Sequence, residues 1–147
     1  MTEVMTKVVL RELVSNTTPL TLGPDTTIRE AARAMQKAKK GAVLIVDGKK
    51  LCGIFTERDL VNRVIAAELD PATAILAEVM TTDLVVIHPD DHHWAALSVM
   101  VHNEVRHLPV VDGDQVLGMV SRRQLMALDN ALMEGDIARR EASLLFI

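Results

Sequence analysis

The sequence predicts an α/β protein of the α+β kind: two tandem β-α-β-β-α repeats related by a pseudo-twofold axis, with a helical tail. Three observations carry that prediction. First, an offset of 65 residues lays one half of the chain on the other without a gap, pairing Pro24 with Pro89, Ala31 with Ala96, Met35 with Met100 and Val46-Asp47-Gly48 with Val111-Asp112-Gly113. Second, each half sets an Asp-Gly pair between two short apolar runs, the strongest short-range hairpin signal. Third, each half closes alike, on "GIFTERDL" (53–60) and "GMVSRRQL" (118–125), a strand end running into a helix. Two copies are too few for a solenoid, so they are expected to pack on each other.

The elements follow in order. An apolar and charged segment, about residues 2–15, precedes the first repeat. "PLTL" (19–22) reads as a short strand. Thr27-x-x-Glu30 is a capping box, and it opens a helix with Ile28, Ala31, Ala32 and Met35 at helical spacing. "AVLIV" (42–46) and "LCGIF" (51–55) are the hairpin strands around "DGKK", and a second helix from about Thr56 places Leu60, Val61, Val64 and Ile65 on one face. The second copy offers a strand at 84–87, a helix around Trp94, Leu97, Met100 and Val101, strands at 108–111 and 116–120, and a helix from Leu125 onward. Pro109 falls at a strand start, where a missing N–H is tolerated. The organisation is therefore repeat 1 at 8–68, a linker at 69–83, repeat 2 at 84–130 and a tail at 131–147. Ile137, Leu144, Leu145, Phe146 and Ile147 make that tail apolar enough to expect a second copy or a partner against it.

Composition narrows the function. A chain of 147 residues that is 49% apolar has a sizeable core, necessarily aliphatic because there are two Phe, one Trp and no Tyr. A net charge of −4 argues against a broad nucleic-acid surface. No apolar run approaches the roughly 18 residues of a membrane span, and the N-terminus lacks the pattern of a signal peptide. A cytoplasmic protein without nucleic-acid or membrane partners is expected. The single Cys52 lies in a strand pattern and reads as packing. "HPDDHHW" (88–94) gathers three His and two Asp, but adjacent His92 and His93 diverge on a helix, and Asp90 and Asp91 read as caps at its start, so no metal site is expected. Lys37, Lys39 and Lys40 read as a solvated helix end. No nucleophile triad or Walker-type loop is present, which argues against an enzyme.

Two readings of Thr56-x-x-Asp59 stand side by side. As a capping box it satisfies two orphan N–H groups, and Ser121-x-x-Gln124 does the same. As a ligand grip it uses the same geometry: the helix start favours a phosphate beside the Thr56 hydroxyl, and the Asp59 carboxylate one turn on can accept two ligand hydroxyls. Gly53 leaves room for a ligand, or else marks a β-bulge.

With "GAVLIVDGKKLCGIFTERDL" and "VRHLPVVDGDQVLGMVS" in place, the chain resembles a tandem cystathionine β-synthase (CBS) domain pair, or Bateman module, over about residues 8–130. No catalytic domain is attached, so it looks like a stand-alone pair. The resemblance implies a regulatory module that binds AMP, ADP or ATP, with no obligatory cofactor, and that pairs into a homodimer, with a regulated protein partner as a further possibility. It tips Thr56 and Asp59 toward nucleotide contact. It adds Thr18, Pro19, Leu20, Gly41, Ala42 and Val43 as backbone and aliphatic walls for the base. In the second repeat Ser121 remains but Gln124 replaces the aspartate, which puts that repeat's own site in doubt. Arg122 and Arg123, with Arg106 and His107, are then candidates for a phosphate held in a shared cleft. The rival readings are a ligand-free docking scaffold and an S-adenosylmethionine site, which would have no phosphate for Thr56.

Overall fold

The computed structural model describes residues 7–145, with side chains over 7–135. The apolar tail residues singled out above lie outside the described side chains. The first repeat comprises β1 (Thr21–Leu22), α2 (Ile28–Ala38), β2 (Ala42–Asp47), β3 (Lys50–Thr56) and α3 (Glu57–Asp59), which runs on as a π-helix over Leu60–Ile65. The second comprises α5 (His93–Asn103), β4 (His107–Asp112), β5 (Gln115–Ser121) and α6 (Arg122–Leu145). Two short helices precede the repeats, α1 (Leu10–Val14) before the first and α4 (Leu76–Val79) before the second. Among the described residues no helix is long and apolar enough to cross a membrane.

The repeat symmetry is built from local chemistry. Both hairpins turn on glycine at the first loop position, Gly48 at φ 64° and Gly113 at φ 59°, where a positive φ matches the strand twist. Both carry a register shift, between Ile45/Val46 and between Val110/Val111. Both α2 and α5 end on a left-handed residue, Lys39 at φ 55° and Glu104 at φ 54°, whose N–H returns to the last helical carbonyls. The Thr27 cap expected from the sequence is present, its Oγ1 accepting the Glu30 N–H at 3.2 Å. The repeats differ at their first strand. β1 pairs parallel with β2, whereas the expected strand at 84–87 reduces to a single bridge, Ile87 with Val110. Ile87 donates to the Pro109 carbonyl at 3.0 Å and accepts from Val111 at 2.9 Å, and its neighbour Val86 is exposed.

Each core is completed by the helix that precedes the other repeat. The first core gathers Ile28, Ala31, Met35, Val43, Ile45, Phe55 and Val64 with Ala74, Leu76 and Val79 of the crossover between repeats. The second gathers Ile87, Ala96, Met100, Leu108, Val110, Val120 and Leu125 with Leu10 and Val14 of α1. Two glycines make this exchange possible. A Cβ at Gly53 would fall 2.5 Å from Met80 Sδ, and one at Gly118 would fall 2.6 Å from Val14 Cβ. Gly53 therefore makes room for Met80 rather than for a ligand, next to the bulge that was its other explanation.

Two expected helix faces are corrected. The periodicity that put Leu60, Val61, Val64 and Ile65 together fails because the π turn changes the phase: Val64 is buried, Leu60 half-buried, and Val61 and Ile65 are 58% and 59% exposed. On α5 the buried stripe is His93, Ala96 and Met100, while Val101 is 62% exposed. Nor do Asp90 and Asp91 cap α5: its N-cap is His92, with no side-chain bond, and Asp90 instead takes the Arg11 guanidinium at 3.0 Å.

Candidate functional site

At the close of the first repeat Thr56 has extended backbone, φ −120° and ψ 168°, as an N-cap requires. Its Oγ1 accepts the Asp59 N–H at 3.2 Å, and Asp59 Oδ2 accepts the Thr56 N–H at 3.0 Å, so the capping box is complete. The Thr56 hydroxyl also donates to Oδ2 at 3.2 Å. The other carboxylate oxygen, Oδ1, accepts the Thr81 hydroxyl at 3.4 Å and faces Arg63 Nε at 3.6 Å. The Asp59 side chain is 13% exposed.

The second repeat keeps only the cap. Ser121 Oγ accepts the Gln124 N–H at 3.2 Å, and Gln124 Oε1 accepts the Ser121 N–H at 3.4 Å. Gln124 is exposed. The junction with the preceding strand is shared: Glu57 N–H donates to the Gly41 carbonyl at 3.0 Å, and Arg122 N–H donates to the Arg106 carbonyl at 2.8 Å.

Between the repeats opens a groove of about 1400 Å³. Lys39, Lys40, Gly41, Ala42 and Glu57 line it from the first repeat, and Arg106, His107, Ser121, Arg122, Arg123 and Gln124 from the second. None of the five lysines and arginines makes an ion pair among the described residues. They face one carboxylate, Glu57, within a chain whose net charge is −4. At the centre a Cβ on Gly41 would lie 3.4 Å from His107 Nε2 and 3.5 Å from Glu57 Cδ, so the two repeats meet closely there. Burial holds the His107 imidazole below its usual range; Glu57 opposes that shift and Arg106 adds to it.

The predicted residues thus divide. Gly41, Ala42, Arg106, His107, Ser121, Arg122 and Arg123 come together in the groove. Thr56 and Asp59 lie at its first-repeat margin, next to Glu57 but turned to Thr81. Pro19 lines a separate opening of about 640 Å³ with Asp112 and Asp114. Thr18 is exposed, and Leu20 packs against the first core. Val43 is fully buried in that core, so its side chain is no wall for a base. The sheet order β1-β2-β3 puts the β1 edge, with Leu20, on the far side from β3, whose outer edge bridges Ile54 to Thr81. Sequence reasoning missed Thr81 and Arg63 beside Asp59, and it set Lys39 and Lys40 aside as solvated. Only the Asp59 to Arg63 spacing of four residues signalled a contact.

The histidine cluster disperses. His93 is fully buried, its Nδ1 accepting the Val8 N–H at 3.1 Å and its Nε2 3.2 Å from Asp129 Oδ1, which also accepts the Trp94 indole N–H at 2.9 Å. The first of these bonds places the ring proton on Nε2. The Trp94 and His93 bonds hold the Asp129 carboxyl below its usual range. Among the described residues no group of three or more His, Cys, Asp or Glu is placed to hold a metal ion.

The CBS domain family matches this chain twice, over residues 3–66 and 76–130. The CBS domain-containing protein CBSCBSPB5 of Arabidopsis thaliana is 34% identical over 84% of the chain, which spans 23% of that protein. The first relatives in the comparison are all much longer, the chain spanning 15–23% of their length. Among solved structures, the CBS-domain containing protein ATU1752 of Agrobacterium tumefaciens superposes with a TM-score of 0.76 at 27% identity, covering 82% of this chain and 98% of that one. The CBS domain protein PAE2072 of Pyrobaculum aerophilum, solved complexed with AMP, superposes with a TM-score of 0.70 at 25% identity, covering 80% and 89%. With its two matched repeats, its paired hairpins and its exchanged helices, this chain belongs to the CBS domain family.

Proposed function

We propose that the chain is a non-enzymatic regulatory module that binds an adenine nucleotide between its repeats, with the phosphates in the cationic groove. One observation carries the reading: five cations contributed by both repeats, none of them paired among the described residues, line one groove of an otherwise acidic chain. Unpaired cations at close quarters repel one another, and a polyanion relieves that cost while drawing the two repeats together. The chemistry favours AMP, ADP or ATP over S-adenosylmethionine, which carries a sulfonium cation and no phosphate. The ribose falls to Asp59 at the groove margin. Binding would then shift the population of repeat arrangements, which is the regulatory output. The AMP complex of the Pyrobaculum aerophilum relative supports the ligand class.

A specific observation supports self-association as well. Val61 and Met126 occupy equivalent places in the two repeats and are 58% and 47% exposed, with Ile65 close by at 59%. The reading pairs two modules across these helices.

Thermal unfolding with AMP, ADP, ATP and S-adenosylmethionine at about 1 mM, at low and high salt, tests the function. A ligand at ~100 times its dissociation constant adds about 2.7 kcal/mol, or some 5–10 °C at this chain length. Stabilisation is expected to rise with phosphate number and to shrink with salt. An equal absence of shift with all four ligands would make the docking scaffold the leading account.

A further inference from the structure

Both oxygens of the Asp59 carboxylate are already engaged by the chain itself. The carboxylate has about four lone-pair sites, and it meets the Thr56 N–H, the Thr56 hydroxyl, the Thr81 hydroxyl and the Arg63 guanidinium. Arg63 Nη1 in turn donates to the Val79 and Met80 carbonyls, each at 3.3 Å. One guanidinium therefore joins Asp59 to the main chain of the crossover between repeats. Arg63 stands in the π-helical segment Leu60–Ile65, and such turns are rare and concentrate at functional sites. The second repeat has no such link: 65 residues on from Asp59 and Arg63 stand Gln124 and Leu128, and Thr81 corresponds to Asn16.

We propose that Arg63 is a positioning residue that couples occupancy of Asp59 to the crossover segment 79–81. A ligand with two adjacent hydroxyls takes its place on Asp59 only by drawing Oδ1 away from Thr81 and Arg63. The crossover then loses its hydroxyl contact, and the guanidinium that holds its carbonyls loses its counter-charge. The pair of main-chain bonds that fix the crossover to β3, Thr81 N–H to Ile54 O at 2.8 Å and Ile54 N–H to Thr81 O at 3.0 Å, opens more often. Because α4 on this crossover completes the first core, the signal reaches the packing of the repeats. The identity of the ligand rests on the nucleotide reading; the Asp59 to Arg63 relay does not.

Amide hydrogen exchange at Ile54 and Thr81 in the full chain tests it. Without ligand, Arg63→Gln and Asp59→Asn are each expected to speed exchange at these two amides by about tenfold, roughly one charge-assisted bond. The double variant is expected to go no further than the larger single effect, because both break one relay. Arg63→Lys keeps the charge but not the fork, and should behave as Arg63→Gln does. Saturating ATP should speed the same amides in the wild type and leave Arg63→Gln unmoved. Additive single effects would overturn the relay. So would ATP that binds without moving Thr81, an outcome that leaves the nucleotide reading intact. Failure of ATP to bind, with non-additivity preserved, would sink the nucleotide reading and leave the relay standing.

Discussion

The closing turns of the two repeats share a cap and little else. Thr56 with Asp59 and Ser121 with Gln124 make the same pair of reciprocal bonds. Around the first, Thr81 and Arg63 enclose the carboxylate until it is 13% exposed. Around the second the amide stands in solvent. The comparison teaches that the cap is common scaffolding and says nothing about ligands. What separates the repeats is what arrives from elsewhere in the chain. The groove shows the complementary asymmetry: the second repeat, without an aspartate, supplies three of the five groove cations. One repeat holds the enclosed carboxylate and the other most of the groove cations.

The largest effects are expected where the exchanged helices meet the hairpins. Gly118→Ala drives a methyl into Val14, which is β-branched and held on α1, and should cost about 2–3 kcal/mol. Gly53→Ala meets Met80, whose flexible thioether can swing aside, and should cost about 1–2 kcal/mol. Urea unfolding of the two variants ranks them; equal costs would mean that the two exchanges are equally rigid.

Next comes the carboxylate itself. Asp59→Ala removes a cap and strips Arg63 of its partner, a loss of about 1–2 kcal/mol, whereas Gln124→Ala should lose about 0.5 kcal/mol. In the same thermal series Asp59→Ala should abolish any nucleotide shift and Gln124→Ala should preserve it. Matching behaviour of the two variants would erase the functional distinction between the repeats.

A smaller effect separates His107 from Ala42, its counterpart in the first repeat. Burial lowers the His107 pKa in the folded state, so the unfolded chain binds its proton more readily. Stability should therefore fall as the pH drops from about 6.5, the unfolded value, toward the depressed folded value, and be unaffected by this group above it. His107→Ala, which makes the repeats alike at this position, should flatten that slope in unfolding measured between pH 5 and 8. An unchanged slope would place the titration elsewhere, with Asp129 at lower pH the next group to test.

The smallest effect sharpens the comparison from the other side. Gln124→Asp combined with Leu128→Arg rebuilds the i, i+4 pair in the second repeat and is expected to stabilise by only about 0.3–0.5 kcal/mol. A gain near that of the native Asp59 environment would show that the pair alone, without Thr81 and the crossover carbonyls, suffices.

Most of the fold was legible in the sequence. The duplication is an internal comparison, and the hairpins and caps are set within four residues by glycine and hydroxyl side chains. Part of the candidate site was legible too: Thr56 and Asp59 stand out as a local cap motif, while Arg106, Arg122 and Arg123 were reached through the family resemblance. The helical faces were read less well. A stripe at period 3.6 assumes an unbroken α-helix, and the π turn after Asp59 turned Val61 and Ile65 outward. The burial of His93 was not legible either, because nothing local announces that Val8 and Asp129 satisfy it.

By itself, then, the sequence determined the two repeats, their turns, their caps and the difference between Asp59 and Gln124, all of which follow from short-range stereochemistry. Tertiary structure alone decided that α1 and α4 complete each other's repeats, that Lys39 and Lys40 face Arg122 and Arg123 across one groove, and that Arg63 ties Asp59 to the crossover. These are contacts between segments many residues apart. They depend on where packing carries each segment, which no local pattern encodes.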